Sequence, residues 1–276
     1  MKMNFYMHLR LFLRSFFIQT GWNFAKYQNV GLTFTMYPFL RELYAQDKEA
    51  LPSVLDRYLE SFNTQPMMAS FCLGALAKQE EHLARAKTLA AYQERLSEWN
   101  SIKRSLSITS ASIGDRLFWG TLKPFTLLLA LCIWLLVGIN FFEIDIPGTF
   151  TAWELFGAAI AALLVFNAIA LFVKWQGISL SYFAANNGCF GLTQFDWNKT
   201  IYNAKRIGIL FSIILLLWGV YYFVHGIEDL WGVHFITRGV LVLFFVSISL
   251  MTRDLRIPNM YLYIIAMLAF CLVSLF

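Results

Sequence analysis

Residues 114–142 read GDRLFWGTLKP followed by FTLLLALCIWLLVGINFF, a mixed polar segment that runs directly into an apolar one. About 20 apolar residues cross the hydrocarbon core of a bilayer, so the apolar part, 125–142, predicts a membrane-spanning helix. The polar part contains the residue types expected at the flank of a span. These are a helix N-cap, a helix break, two interfacial residues and a first-turn proline, at Asp115, Gly120, Trp119, Lys123 and Pro124.

The rest of the chain repeats the apolar pattern. Further spans are predicted at 155–173, 207–224, 239–252 and 257–276, of which 239–252 is short. Overall, 58% of the residues are hydrophobic and 14% are charged, whereas a soluble domain has roughly half apolar and a quarter charged residues. The sequence therefore predicts an all-α polytopic membrane protein with about five transmembrane helices.

The placement of Lys and Arg predicts the orientation of these helices. The stretch before the first span carries 15 of the 22 basic residues, the segment 174–206 carries four, and 253–256 carries two. On the other side, 143–154 carries none and 225–238 carries one. Cytoplasmic loops have an excess of Lys and Arg, so we expect the N-terminus in the cytoplasm and the C-terminus outside.

This orientation divides the chain into two regions, a cytoplasmic-side and interfacial region, 1–123, and a transmembrane helical region, 124–276. Near the N-terminus, apolar residues share one helix face while Arg10 and Arg14 lie on another, which predicts an amphipathic helix in the membrane interface. The residues of the apolar face are Phe5, Leu9, Phe12, Leu13 and Phe16.

Two stretches within 1–123 predict further helices. Residues 67–77 are apolar but too short to span, which suits either an arm of a re-entrant helical hairpin or a buried helix. Residues 78–100 follow as a polar helix, in which Glu81 and Arg85 have the spacing of an i,i+4 ion pair.

Several functional classes are not supported. The four cysteines are far apart and show no CxxC spacing, and no histidine has a carboxylate-rich or glycine-rich setting. We therefore expect no metal site, no cofactor and no phosphohistidine, and His82 is interpreted as part of a solvated helix face. The basic residues form no patch suited to nucleic acid, and the sequence contains no nucleophile elbow or P-loop.

Three ordered blocks carry a resemblance to a known family. They are FLRSFFIQTGWNFAKYQNVGLTFTMYPFLRELY (12–44), RYLESFNTQPMMASFCLGALAKQEE (57–81) and IGDRLFWGTLKP (113–124), and LRIPNMYLYIIAMLAFCLVSLF (255–276) resembles a closing span. The first block has an FxRS start, a Trp-Asn pair, then a Gln and a Gly. Together they resemble the IID subunit of mannose/fructose/sorbose-family phosphotransferase-system (PTS) sugar permeases.

The resemblance implies a function in sugar uptake. A IID subunit translocates a hexose together with a IIC membrane subunit, while soluble IIA and IIB phosphocarrier subunits phosphorylate the sugar at the expense of phosphoenolpyruvate. It implies a multi-pass protein of the bacterial cytoplasmic (inner) membrane, within a higher oligomer of the IIC–IID pair. Because the phosphoryl groups are carried elsewhere, this chain would not be an enzyme on its own.

The resemblance also implies a substrate or translocation path along the quoted blocks, with no catalytic residue. Its residues would be Asn63, Thr64, Gln65, Glu80, Glu81, Gly114, Asp115 and Trp119. For Asn63 and Thr64 the alternative is a helix cap before Pro66. For Glu80 and Glu81 the alternative is a return of the apolar arm to water.

The sequence departs from the family pattern at several positions. SLSITSAS (105–112) stands where family members have a Gly- and Pro-rich run, Arg116 stands where Pro is common, and Ala25 replaces an acid. Because glycine supplies backbone freedom at a tight tip, these changes motivate an alternative function. In that alternative, the chain is a diverged IID-like interaction subunit that no longer transports sugar.

Overall fold

The computed structural model describes residues 3–141, 152–184 and 189–225, and these residues are helical, without a named strand. The chain divides into two compact units, 1–212 and 213–276. The α-helices are α1 (Phe5–Ser15), α2 (Asn29–Leu43), α3 (Leu51–Tyr58), α4 (Ala69–Ala84), α5 (Leu89–Gly114), α6 (Lys123–Phe141), α7 (Ala152–Phe183) and α8 (Trp197–His225). A π-helix, Asp115–Leu122, joins α5 to α6, and a short 3₁₀ helix covers Leu192–Gln194.

Two stretches of these helices are long and apolar enough to cross a membrane, Leu89–Ile133 and Phe156–Phe183. They include much of the first two predicted spans, and α8 covers the third, 207–224. The predicted spans 239–252 and 257–276 lie outside the described residues. The all-α character is thus confirmed for the described part of the chain, whereas five spans, their orientation and the division at 123/124 stay predictions.

Helix α4 lies at the centre of the first unit and is buried along nearly its whole length. Helices that are apolar all round belong in the interior of a fold, and α4 packs most extensively against α7 and α5. Of the two alternatives for 67–77, the buried helix describes the packing within the chain. Whether the α4–α5 pair also enters the bilayer as a re-entrant hairpin stays a prediction.

The close approach of α4 and α7 depends on glycines and serines. A Cβ atom on Gly74 would overlap the Ser181 hydroxyl and the Ile178 carbonyl oxygen, and a Cβ atom on Gly177 would overlap the Ser70 hydroxyl. Each helix thus presents a small residue four positions from another, a pattern that brings helix backbones close together in membrane proteins.

Helix α1 forms as predicted, with Asn4 accepting a hydrogen bond from the Met7 amide at 2.8 Å as its N-cap. It packs inward through Met7 and Leu11, whereas Phe5, Leu13 and Phe16 of the predicted apolar face stay exposed. Its position in the membrane interface stays a prediction.

Two predictions about loops and helices are wrong. The segment 174–206 was expected to be a loop, but α7 continues to Phe183, because its last turns are packed against α4 and Lys174 donates a hydrogen bond to the Ser15 carbonyl at 3.0 Å. The single polar helix 78–100 is instead two helices that meet at 85–88. There, Thr88 caps α5 by accepting from the Ala91 amide at 3.3 Å.

The structure of GDRLFWGTLKP also differs from the helix flank that the sequence predicts. Asp115 caps no helix and Gly120 breaks none, because α5, the π-helix and α6 form one continuous rod. The Thr121 hydroxyl donates to the Arg116 carbonyl, five residues earlier, at 2.8 Å and supports the wide π-turn. This turn precedes Pro124, which lacks the amide hydrogen that an ordinary α-helix would use. Such π-turns are frequent at functional sites.

Candidate functional site

The first and second sequence blocks are joined by the side chain of Gln28. Its amide nitrogen donates to the Thr64 carbonyl at 2.8 Å, and the Thr64 amide donates back to the Gln28 side-chain oxygen at 3.0 Å. The Gln28 backbone amide also donates to the Phe62 carbonyl at 2.9 Å. Gln28 and Thr64 are both buried, so the segment FNTQP is held rigidly against the start of α2.

The second and third blocks meet at Gly114. A Cβ atom at this position would lie 2.6 Å from Cβ of Gln65 and 2.8 Å from Cγ of Met68. Such distances are far inside van der Waals contact, so only glycine fits here. In addition, the Thr64 hydroxyl donates to the Ser107 carbonyl of α5 at 3.0 Å. Three blocks separated in sequence thus converge on one polar junction, formed by Gln28, Thr64, Gln65, Ser107 and Gly114.

The oxygen and the nitrogen of the Gln65 side-chain amide have different surroundings at this junction. Its side-chain oxygen accepts hydrogen bonds from the amides of Met67 at 2.6 Å and Met68 at 3.1 Å, just before α4 begins. The alternative of a cap by Asn63 or Thr64 is therefore wrong, because Gln65 satisfies these amides instead. Its amide nitrogen, Nε2, is buried and has no hydrogen-bond partner within the described residues.

Asn63 lies next to the junction, and its side chain is exposed. Asn63 thus offers a donor and an acceptor at the surface, and the Nε2 group of Gln65 offers a donor beneath it. Sugar hydroxyls are bound by groups of this kind, since each hydroxyl both donates and accepts.

Glu80 lies elsewhere, in a buried cluster with residues of α2 and α3. The hydroxyl of Tyr44 donates to Oε1 at 2.8 Å, and that of Tyr58 donates to Oε2 at 3.1 Å. Arg57 forms a buried ion pair with Oε1. Because Glu80 has no exposed surface, the alternative that it marks a return to water is wrong.

The charges in this cluster keep its members in fixed protonation states. Burial, and then the Glu80 carboxylate, raises the pKa of Tyr44 and Tyr58, so both phenols remain donors. Burial by itself would lower the pKa of Arg57, but the carboxylate outweighs it and the pKa is raised. Arg57 also lies over the ring of Trp99, 5.6 Å from its centroid. The cluster therefore stabilises one arrangement of α2, α3, α4 and α5.

Glu81 is also buried rather than facing water. Its Oε1 accepts from the hydroxyl of Tyr182 on α7 at 2.5 Å, and its Oε2 lies 3.5 Å from Lys78 and 3.6 Å from Arg85. The predicted i,i+4 pair of Glu81 with Arg85 is thus confirmed. His82, on the same helix, is partly buried, and its pKa is lowered by burial and then by neighbouring cations.

Asp115 and Trp119 are exposed, whereas Gly114, directly before Asp115, is buried. Of the eight residues of the predicted path, the structure thus brings together Thr64, Gln65 and Gly114, with Asn63 beside them. Sequence reasoning did not assign Gln28 or Arg57 to the site, although both lie inside the quoted blocks and Gln28 is the Gln of the first block. The available signal was a polar residue within a family-like block.

Cys72 lies deep between α4 and α5, with its sulfur 3.9 Å from the Ser110 hydroxyl. Burial raises the pKa of its thiol to about 12, so the thiol is unreactive at neutral pH. Among the described residues, no three His, Cys, Asp or Glu side chains lie close enough to hold a metal ion.

The chain is similar to known proteins of one family. A family model described as PTS system mannose/fructose/sorbose family IID component matches residues 5–142, which contain the three blocks that meet at the junction. The mannose-specific EIID component of the PTS system of Escherichia coli K12 is 31% identical over 172 residues, 62% of this chain and 53% of that protein.

Two further relatives are similar to this chain to nearly the same extent. The sorbose-specific EIID component of Klebsiella pneumoniae is 31% identical over 172 residues, covering 62% of this chain and 54% of that protein. The fructose permease IID component of Bacillus subtilis 168 is 30% identical over 175 residues, with the same shares of 62% and 54%. The chain thus spans about half the length of these relatives.

Two solved structures share the fold. The mannose transporter ManYZ, in complex with microcin E492, has a chain with a TM-score of 0.53 at 23% identity, covering 99% of this chain and 96% of that chain. A second structure, described as a membrane protein, has a TM-score of 0.61 at 23% identity, covering 100% and 96%. At this identity the likeness concerns the fold alone.

Proposed function

The chain belongs to the IID components of the mannose/fructose/sorbose family of the phosphotransferase system, and on this premise we propose that it carries a hexose across the bacterial cytoplasmic membrane together with a IIC subunit. Soluble IIA and IIB subunits would deliver the phosphoryl group, and this chain would supply part of the wall of the path. The observation that carries the proposal is the convergence of the three family-like blocks on one junction with a free, buried amide, Nε2 of Gln65.

The alternative of a diverged interaction subunit without transport is less well supported. The relatives that the chain resembles are named as phosphotransferase or permease components. The segment 105–112, whose missing glycines motivated this alternative, lies inside α5. A helix interior has no need of glycine, and glycine there is destabilising by about 1 kcal/mol relative to Ala.

Within the predicted path, we assign different roles to different residues. Asn63 has an exposed side-chain amide and Gln65 has an amide nitrogen without a partner, so they are proposed to face the hexose. Thr64 and Glu80 already bond to neighbouring helices through their side chains, so they are proposed to hold the path in shape. Glu81 is proposed to do the same through Tyr182.

A direct test of the function uses the chain with its cognate IIC subunit. Co-expression in a strain that lacks its own mannose-family permease should let the two membrane proteins copurify and should restore sugar uptake that depends on phosphoenolpyruvate. Omission of this chain should abolish both uptake and the phosphorylated product. Full uptake by IIC alone would contradict the proposal.

The free amide of Gln65 leads to a more specific prediction. In Gln65→Glu the side chain keeps an oxygen for the Met67 and Met68 amides but loses the donor. The negative charge is tolerated next to a helix N-terminus. We expect the KM for uptake to rise about tenfold, the effect of losing one hydrogen bond to a hydroxyl, while the melting temperature stays unchanged.

The matched control is Gln93→Glu, the same chemical change at an exposed position of α5. It should leave KM unchanged. If Gln65→Glu transports with the KM of the unchanged protein, Gln65 does not contact the sugar. Gln65→Leu, which removes both ends of the amide, should additionally lower the melting temperature.

A further inference from the structure

The outward side of the GDRLFWGTLKP segment has features that the fold of this chain does not use. Asp115, Trp119 and Gly120 all lie exposed on the π-helix, whereas Gly114, directly before them, is buried against Gln65. One segment therefore has an inner side that closes the junction and an outer side that is open.

Within the described part of the chain, no contact requires glycine at position 120. A Cβ atom there would meet only the Asp115 carbonyl oxygen of its own helix, at 3.5 Å, which is ordinary contact. Glycine inside a helix costs about 1 kcal/mol relative to Ala. Its effect is instead on the outside, where it leaves a notch beside the half-exposed ring of Trp119. Notches of this type let the backbone of a second helix approach closely.

Asp115 has no partner for its charge. Its carboxylate makes no hydrogen bond or ion pair with the described part of the chain, although Arg116 and Lys123 are close in sequence. Lys123 lies instead over the ring of Trp119, 5.0 Å from its centroid. An exposed carboxylate that none of these neighbouring cations pairs with is available to a donor or a cation from outside.

The same side of the rod continues as an apolar surface into α6. Leu127 and Leu131 follow Trp119 at multiples of four residues and are 62% and 43% exposed. We call Asp115, Trp119, Gly120, Leu127 and Leu131 the docking face. A lipid chain would gain nothing from the notch and could not pair with Asp115, whereas a protein helix can do both.

We propose that the docking face binds a transmembrane helix of the IIC subunit, with a small residue of that helix in the notch at Gly120. A hydrogen-bond donor or cation of the same helix pairs with Asp115, and its apolar residues cover Leu127 and Leu131. This inference rests on the proposed function, because it names the surface through which the two membrane subunits associate. It gives Asp115 and Trp119 a role in assembly.

Photo-cross-linking tests the contact in the intact complex. A benzophenone amino acid at position 119 should cross-link to IIC in membranes, whereas the same group at Phe172, exposed on α7, should not. Cross-links from position 119 only to lipid or within the same chain would overturn the docking face, with the proposed function intact as long as the unchanged protein copurifies with IIC. If the unchanged protein does not copurify with IIC, the proposed function itself fails.

Substitutions test the chemistry of the contact. Gly120→Leu fills the notch without an internal clash and should lower the amount of copurified IIC about tenfold, as expected for a central interface residue. Gly157→Leu makes the same change at an exposed glycine of α7 with no neighbour within 4 Å and should have no effect. Asp115→Leu should weaken copurification more than Asp115→Asn, which still accepts a hydrogen bond. Normal copurification of both Gly120→Leu and Asp115→Leu would contradict the proposal.

Discussion

The Glu80→Gln variant is expected to melt about 10 °C below the unchanged protein, because removing one charge of a buried ion pair costs about 3–5 kcal/mol. The carboxamide has nearly the shape of the carboxylate, and its single oxygen accepts from one tyrosine hydroxyl while its NH2 group donates to the other. The main change is the charge: Arg57, with only 9% of its side chain exposed, is left as a buried cation without a counter-ion. Thermal unfolding in detergent, followed by size-exclusion chromatography, measures the difference.

A second substitution separates charge from packing. In the double variant Arg57→Met with Glu80→Gln, the unpaired cation is gone, and the carboxamide accepts from one of the two tyrosine hydroxyls and donates to the other. We expect this double variant to regain most of the lost melting temperature, although it differs from the natural sequence at two buried positions. Glu98→Gln, at an exposed position of α5, is the matched control and should melt normally. A double variant less stable than Glu80→Gln would show that the ion pair itself stabilises the fold.

The buried position of Glu80 could not be predicted from the sequence. Two consecutive glutamates after an apolar arm have the pattern of a helix that returns to water, and local periodicity carries no other information. Their partners come from distant segments, Arg57 and Tyr44 for Glu80 and Tyr182 for Glu81. Tertiary contacts of this kind override the local preference of an acidic residue for the surface.

The predicted helices agree with the structure where a local pattern determines the outcome. The amphipathic helix α1, the apolar core of α7 and the continuous apolar run of α6 each follow from periodicity or length alone. The errors occur where context decides. Asp115 and Gly120 have the local preferences of a cap and a break, yet the π-turn carries one helix through both. Thr88, by contrast, was a readable N-cap signal that the sequence reasoning missed.

The crossing of α4 and α7 was also readable in principle. Ser70 and Gly74 are four residues apart on α4, and so are Gly177 and Ser181 on α7, which is the small-xxx-small pattern of close helix pairs. The sequence does not show which two helices pack against each other through this pattern.

This crossing predicts that Gly74→Ala prevents the accumulation of folded protein. The added Cβ atom would overlap both the Ser181 hydroxyl and the Ile178 carbonyl oxygen, and the carbonyl belongs to the backbone of α7. Helix α4 has little room to shift, because it is buried along nearly its whole length. Forcing atoms into a packed core costs about 1–3 kcal/mol or more, and here the obstacle is backbone. The yield of monodisperse protein after detergent extraction is the measurement.

Gly74 and Gly177 differ in the kind of atom that an added Cβ would meet, so the two alanine variants should respond differently to a second substitution. Gly177→Ala meets the Ser70 hydroxyl and, at 2.9 Å, the Phe71 ring, which are side-chain atoms. Ser70→Ala should therefore restore much of the yield lost by Gly177→Ala, whereas Ser181→Ala should not rescue Gly74→Ala, since the Ile178 carbonyl remains in the way. Gly157→Ala, on the same helix α7 in open space, should raise stability slightly through helix propensity. Equal yields for Gly74→Ala and Gly157→Ala would mean that α4 and α7 do not approach closely in the membrane.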